Sequence, residues 1–467
     1  MTPRLKSASV LAAACLLIAT ARGQPFVEDS IDVGGAWVGS LAYSPAARVV
    51  YGRSQESYYF FAISCDSSKV ISRIYRQMPM YIAYSTAQNK AYFTQRTGDM
   101  DSVIVVDGRT HQYLKGIPLL WATVPVYDSV SDRLYVSCDG ENEVGVIDCA
   151  TDSVIAHIRV GRGPVWMNIN SQGRKLYVQN SDGESVSIID LQTNQVIRTI
   201  PVGNVPGSGC YSATAGKYCC GTVGEIWAID GAGDTVVARI PLRAATAAVL
   251  AMTSVESHAL VMACGYTGHG DSVFVIDALR DSVVRALPTD RGPDVLLWSR
   301  ATDLVYCSRG SCDSVSVIRG DGTRVVEAIP VGHDPFVLAV APELGRVYLG
   351  HLGSEYVYVI RDTVSGVSEP DLAAIGQSPL VRVRPNPFTK AASIECCARL
   401  APGAGMCIFS QDGRQVRRLA PDLTLPGASA TFTWDGEDEL GRRAPKGVYL
   451  AVVQGQAGTR AKFVKVD

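Results

Sequence analysis

The chain reads as all-β: an eight-bladed β-propeller, with seven blades as the alternative count, followed by a small β-sandwich. Three observations lead there. A repeat of about 42 residues runs through most of the chain, each repeat holds four short apolar runs, and the pattern stops after Arg361.

At the N-terminus, Arg4 and Lys6 precede an apolar stretch from Ala8 to Ala19, and Ala21-Arg22-Gly23 offers small residues where a signal peptidase reads. Residues 1–23 are therefore expected to be a signal peptide, with the mature chain starting near Gln24. About 12 apolar residues are too few to cross a ~30 Å hydrocarbon core. Lipid attachment at Cys15 would leave an apolar Leu-Leu-Ile stub at the mature end, which disfavours it. No later run has the length of a membrane span, so no transmembrane segment is expected in the mature chain.

Residues 24–361 carry the repeat. It is clearest in Glu184-Ser-Val-Ser-Ile-Ile-Asp190 with Asn194-Gln-Val-Ile-Arg-Thr-Ile-Pro-Val-Gly203, and in Asp313-Ser-Val-Ser-Val-Ile-Arg319 with Arg324-Val-Val-Glu-Ala-Ile-Pro-Val-Gly332. The position of Asp190 recurs at Ser64, Asp107, Asp148, Asp230, Asp277, Arg319 and Arg361, at spacings of 40 to 47 residues. A second marker keeps step with it: Tyr51, Tyr92, Tyr135, Tyr177, Tyr218, Tyr306 and Tyr348, with Leu260 in the one gap. In the fourth unit the apolar runs are Pro164 to Asn170, Lys175 to Gln179, Ser185 to Asp190 and Gln195 to Val202. Runs this short, rich in Val, Ile and Tyr and punctuated by Ser-Gln-Gly and Ser-Asp-Gly, predict strands joined by turns. Four strands per 40 to 50 residues is the propeller period, because a single four-stranded sheet must stack against neighbours to bury its faces.

The ring also has to close. The eighth unit has a third strand at Tyr356 to Ile360 but no good fourth, whereas Glu28-Asp-Ser-Ile-Asp-Val-Gly34 resembles the fourth-strand ending Arg198-Thr-Ile-Pro-Val-Gly203. The mature N-terminus is therefore expected to complete the last blade. The weak fourth strand at His111 to Ile117 and the insertion Gly265-Tyr-Thr-Gly-His-Gly270 are what keep seven blades open.

These repeats resemble the YVTN family of β-propeller repeats, with Tyr177-Val-Gln-Asn180 matching its signature strand and the likeness running from about residue 28 to residue 361. The resemblance implies a scaffold found in extracellular and surface-layer proteins, with dehydrogenase and lactonase-like propellers as relatives. A shared blade does not carry the chemistry with it.

Residues 362–380 lose the pattern and read as a linker, and residues 381–467 as a separate unit. Seven short runs separated by Gly/Pro turns predict a β-sandwich there: Val381 to Arg384, Ser393 to Leu400, Gly405 to Phe409, Gln415 to Leu419, Ala430 to Trp434, Val448 to Gln454 and Lys462 to Val466. Pro385-Asn-Pro-Phe388, Asp412-Gly-Arg414, Thr433-Trp-Asp-Gly436 and Lys446-Gly-Val-Tyr449 resemble landmarks of the FlgD-type immunoglobulin-like domain. That resemblance implies an immunoglobulin-like fold and, through tails of the type IX secretion pathway, contact with an export machinery. Arg414, Trp434 and Tyr449 are read as packing rather than binding residues. The acidic run Asp435, Glu437, Asp438 and Glu439 lacks the spacing of a calcium loop and reads as a solvated turn.

Forty-three basic against 45 acidic residues leave no global field, so nucleic acid is not an expected partner. Cys138 with Cys149, or Cys307 with Cys312, are pairs that an exported chain permits to bridge, and no pairing is assigned. Ligands of propellers sit where loops converge on the central opening. The loops leading into the innermost strands nominate Arg162, Asn204, Arg291, Asp294, His333 and Asp334 as a binding rim, with Trp37, Trp121, Trp166 and Trp298 as apolar lining. A catalytic version would use His333 as acid or base with Asp334 or Asp294 orienting it. No second or third histidine stands at an equivalent position, and no Gly-x-Ser-x-Gly, His-Glu-x-x-His or phosphate loop occurs. The sequence therefore nominates no catalytic residue, metal site or cofactor. It points to a secreted or cell-surface scaffold whose propeller face recognises a protein or glycan. The alternative is a lactonase-like hydrolase or an oxidoreductase acting on a small molecule at the central opening.

Overall fold

Each repeat folds into one antiparallel four-stranded sheet because its runs alternate with turns that the backbone can satisfy locally. In blade 4 the strands are Pro164–Asn170, Lys175–Asn180, Ser185–Asp190 and Gln195–Pro201, in that order from the inside outwards. Most residues of the second and third strands are buried, whereas the outer strand alternates with solvent. The aspartate that marks the repeat ends the third strand. Asp190 Oδ1 accepts the backbone N–H of Gln192 at 2.7 Å and of Thr193 at 2.9 Å, the Asx geometry that turns the chain into the outer strand. Asp107 does the same for Arg109 and Thr110, and Asp277 for Leu279 and Arg280.

This is a computed structural model. It describes residues 24–76, 78–96, 102–203, 206–242, 249–265, 272–289, 293–362, 381–384, 391–396, 406–410, 415–421, 430–439, 441–445, 447–453 and 460–465. The signal segment with Cys15, the rim candidates Asn204 and Arg291, most of the Gly265 to Gly270 insertion, most of the linker, Pro385 to Phe388 and Asp412 to Arg414 lie outside these residues.

Eight such sheets stand in a ring. Blades 1 to 7 span residues 38–75, 79–118, 122–159, 164–201, 208–241, 249–288 and 293–330, and the innermost strand of each lies against that of the next. Blade 8 takes three strands from residues 335–361 and its outermost strand from Phe26–Asp32, and its innermost strand packs on that of blade 1. The count is eight. The closing strand pairs antiparallel with Tyr356–Arg361, Phe26 opposite Arg361 and Asp32 opposite Tyr356. It ends at Asp32 as the strand of the likeness ends at Pro201, with Val33-Gly34 following it as Val202-Gly203 follow that strand.

Closure is pinned by charge. Glu28 accepts from Arg346 Nε at 2.9 Å and Nη2 at 3.0 Å and also from Arg361, while Arg346 Nη1 donates to the Cys65 carbonyl of blade 1 at 2.6 Å.

The marker tyrosines are each at most 1% exposed, and Tyr92, Tyr135 and Tyr306 hydrogen-bond from blade to blade. Tyr92 donates to Asp152 Oδ1 at 2.7 Å, Tyr135 to Asn194 Oδ1 at 3.0 Å and Tyr306 to Asp362 Oδ1 at 2.6 Å, in each case in the following blade. Asp152 and Asn194 occupy left-handed turn positions, with φ of 51° and 56°, where Asp and Asn are tolerated best. Lysines opening the second strand reinforce this: Lys90 to Asp152, Lys175 to Asp234 and Lys217 to Asp281, at 2.7 to 2.8 Å. Nearer the axis a second bond recurs. Ser137 Oγ accepts the N–H of Val124, beside a bulge in its own blade's innermost strand, and donates to the Val165 carbonyl of the next blade, both at 3.0 Å. Thr94 and Ser308 repeat it.

The C-terminal unit, Gly366–Asp467, has two sheets: Val381–Arg384, Ala392–Cys396 and Ala430–Trp434 in one, and Gln415–Leu419, Met406–Ser410, Gly447–Val453 and Arg460–Lys465 in the other. Trp434 and Tyr449 sit in its core with ring centroids 4.7 Å apart. The indole Nε1 donates to the Glu437 carbonyl at 2.8 Å. In the acidic turn, Asp438 is held by Arg442 at 2.9 Å.

Cys138, Cys149 and Cys307 are free buried thiols, and burial pushes those of Cys138 and Cys149 up to about 12.

Candidate binding face

Loops that lead into the innermost strands share one side of the ring with the turns joining second to third strands. In five described blades the residue just before the innermost strand is left-handed: Trp37 (φ 62°), Met78 (43°), Trp121 (56°), Gly163 (60°) and Asp334 (56°). Four of these positions share a bond. The first N–H after the second strand donates to the carbonyl of this residue, from Gln55 to Trp37, Arg96 to Met78, Ser181 to Gly163 and Leu352 to Asp334, at 2.8 to 3.2 Å.

Glycine suits such a site, and blade 4 has it; a bulky apolar residue there is strained by of order 1 kcal/mol or more. Blades 1, 2 and 3 nevertheless place Trp37, Met78 and Trp121 there, 51%, 48% and 44% exposed. Leu120 beside Trp121 is exposed as well. Three successive blades thus carry both backbone strain and solvent-exposed apolar surface in the same place, a combination that packing does not reward.

Beside Trp121, between blades 3 and 4, opens a cleft of about 230 Å³ lined by Arg96, Trp121, Asp139, Gly163, Ser181 and Asp182 among others. Arg96 lies over the indole, 4.5 Å from its centroid, and pairs with Asp139 at 3.2 Å. Asp182 forms the facing wall.

Of the rim candidates, Arg162 is exposed on the lead-in loop of blade 4, where its carbonyl accepts the Gly183 N–H at 3.0 Å. Asp294 and Asp334 converge over Gly310, where an added Cβ would lie 3.0 Å and 2.3 Å from their oxygens. Asp294 also accepts the Gly310 N–H at 2.9 Å. His333 is largely exposed, and its carboxylate partner is Asp313, with Nδ1 to Oδ1 at 3.0 Å, rather than Asp334 or Asp294. The same Asp313 oxygen takes the Asp334 N–H, and that bond together with His333 holds its carboxyl below the usual range.

Among the apolar candidates, Trp166 faces the opening and meets Tyr81, two blades away, edge to face at 5.7 Å. Trp37 and Trp121 stand on the lead-in loops. Trp298 lies near the other end of its strand, donating to Asp303 at 3.2 Å and packing on the core between blades 6 and 7, so it does not join them. Sequence reasoning missed Met78, Tyr81, Arg96, Asp139, Asp182 and Asp313. Aligning the repeats on Gly163-Pro164 and Asp334-Pro335 would have found Met78 before Pro79. The others follow the second strand or lie within a strand, outside the lead-in loops that were searched. Among the described residues no group of three or more His, Cys, Asp or Glu side chains is arranged to hold a metal ion, and no helix is long and apolar enough to cross a membrane.

No model of a known protein family matches the chain, and no curated protein matches it. Solved structures do. Hydrazine synthase of Kuenenia stuttgartiensis aligns over 71% of this chain and 96% of its own, with a TM-score of 0.50 and 17% identity. The dihydro-heme d1 dehydrogenase NirN aligns over 64% and 67%, at 0.56 and 16%. A chain of the mitotic checkpoint complex aligns over 72% and 91%, at 0.50 and 13%. At these identities the likeness is one of fold. Residues 26–361 form an eight-bladed β-propeller.

Proposed function

We propose that the propeller is a non-catalytic recognition module of an exported or surface-anchored protein, and that the face carrying Trp37, Met78 and Trp121 binds an extracellular protein or glycan. The observation that carries this reading is the display of three large apolar side chains from strained left-handed positions in consecutive blades. Trp, Met and Arg are the residue types that concentrate at the centres of binding patches. The N-terminal signal-like segment and the resemblance of the last 87 residues to FlgD-type tails support export, with the tail serving secretion or attachment. The YVTN resemblance fits the same setting. A hydrolase or oxidoreductase would work from the same face, where the His333–Asp313 pair offers an acid–base group.

The test is to probe the purified mature protein against arrayed surface polysaccharides and against extracellular proteins of its own cells. A saturable partner lost in a Trp37→Ala, Met78→Ala variant supports the reading. A partner that persists in that variant, or binding mapped to the opposite side of the ring, overturns it. N-terminal sequencing of protein recovered outside the cell is expected to start near Gln24; intact protein retained in the cytoplasm would contradict export.

A further inference from the structure

The cleft between blades 3 and 4 has a second carboxylate, Asp182, with no neutralising partner among the described residues. On one wall, Arg96 shows what the site accommodates: a planar cation over the Trp121 indole, ion-paired to Asp139. On the other, Asp182 is exposed, with no hydrogen-bond or ion-pair partner among the described residues.

The backbone around Asp182 is nonetheless held in place. The N–H groups on either side of it, of Ser181 and Gly183, donate to the carbonyls of Gly163 and Arg162 at 2.8 and 3.0 Å, and Ser181 Oγ donates to the Pro206 carbonyl at 3.2 Å. Gly163 has no Cβ to push the carboxylate away, since one would lie 2.8 Å from it. With the backbone fixed on both sides of it, Asp182 keeps its carboxylate at the cleft, where it attracts an approaching cation. With two carboxylates and one guanidinium, the cleft carries one uncompensated negative charge.

Resting on the recognition reading above, we infer that this cleft is the subsite for a lysine or arginine side chain of a polypeptide partner, whose flanking apolar residues lie along Trp121, Met78 and Trp37. Volume favours a single side chain. At about 230 Å³ the cleft falls below the ~300–1,000 Å³ of pockets that enclose a whole drug-sized ligand. The apolar residues continue along one side of it, in blades 3, 2 and 1, as an extended peptide requires.

The experiment compares two apolar dodecapeptides, identical except for Lys or Gln at the centre, and a soluble oligosaccharide, by calorimetry at 25 mM and 300 mM NaCl. The lysine peptide is expected to bind about three- to fivefold more tightly than the glutamine peptide, to lose most of that advantage at the higher salt, and to lose the preference in Asp182→Asn. Asp182 is exposed and makes no side-chain bond to the fold, so this variant is expected to keep the wild-type melting temperature. Equal binding of both peptides, or an unchanged preference in Asp182→Asn, overturns the cation subsite. If both peptides bind equally, or only the oligosaccharide binds, and Trp37→Ala with Met78→Ala abolishes it, the face stands and the cation subsite falls. Binding of none of the three probes overturns the subsite too, while the array of natural partners still decides the face.

Discussion

The Asp152 carboxylate of blade 3 takes two hydrogen bonds from blade 2: Tyr92 donates to Oδ1 at 2.7 Å and Lys90 Nζ to Oδ2 at 2.8 Å. Asp152 is 9% exposed, so the bonds act in a low-dielectric setting. Asp152→Ala leaves both donors only the Cys149 carbonyl, at 3.2 Å from the Tyr92 hydroxyl and 3.0 Å from Lys90 Nζ, and is expected to lower stability by about 1–3 kcal/mol. Tyr92→Phe, which keeps the lysine bond, is expected to cost about 1 kcal/mol. Urea unfolding followed by circular dichroism measures both; equal, negligible losses would show that the interblade bond contributes nothing.

The N-terminal strand is expected to decide whether the ring holds. Deleting residues 24–33 strips blade 8 of its outermost strand and leaves the Tyr356–Arg361 edge unpaired, a template for aggregation. Glu28→Ala keeps the strand but leaves Arg346 and Arg361 without their shared carboxylate. The deletion is expected to aggregate on size-exclusion chromatography, whereas Glu28→Ala stays monodisperse and melts several degrees lower.

Acid should act in two stages. His351 is fully buried; burial lowers its pKa to about 4, outweighing the Tyr356 carbonyl that accepts from the ring. Its unfolded pKa is near 6.5, so the unfolded state binds the proton first, and stability falls as pH drops from about 6.5 to about 4. Asp128 is 1% exposed. Burial alone would raise its pKa, but the Arg174 guanidinium, Ser131 and the Val130 N–H bring it down to about 2. That contribution is complete above about 4 and is lost as pH falls towards 2, some 2 kcal/mol in all. His351→Gln is expected to flatten the upper stage and Asp128→Asn the lower one in urea titrations at stepped pH. A variant that leaves its own stage unchanged would contradict the assignment.

The blades were legible because the repeat writes the same local instructions many times. Asp190 and Tyr177 stand at fixed places in it, and the Asx turn after Asp190 is encoded within four residues. The closing strand was legible for the same reason, since Val33-Gly34 follow Asp32 as Val202-Gly203 follow the outer strand of blade 4. What the sequence hid is non-local or conformational. Tyr92 and Asp152 lie 60 residues apart, and nothing near either one names the other. His333 sits next to Asp334 in the chain, but a left-handed turn presents it to Asp313. Trp37 stands half exposed at a positive φ, which the sequence does not reveal.

The central claim is that Trp37 and Met78 are there for a partner and not for the fold. Glycine fits their left-handed backbone without strain, while its extra unfolded-state entropy works the other way, so the two effects nearly offset. The decisive measurement is therefore the double variant Trp37→Gly, Met78→Gly, assayed in parallel for thermal unfolding and for binding to the partner found with the wild-type protein. The account predicts a melting temperature within about 3 °C of wild type, corresponding to less than about 1 kcal/mol, together with at least tenfold weaker binding. A marked loss of stability with binding intact would contradict it.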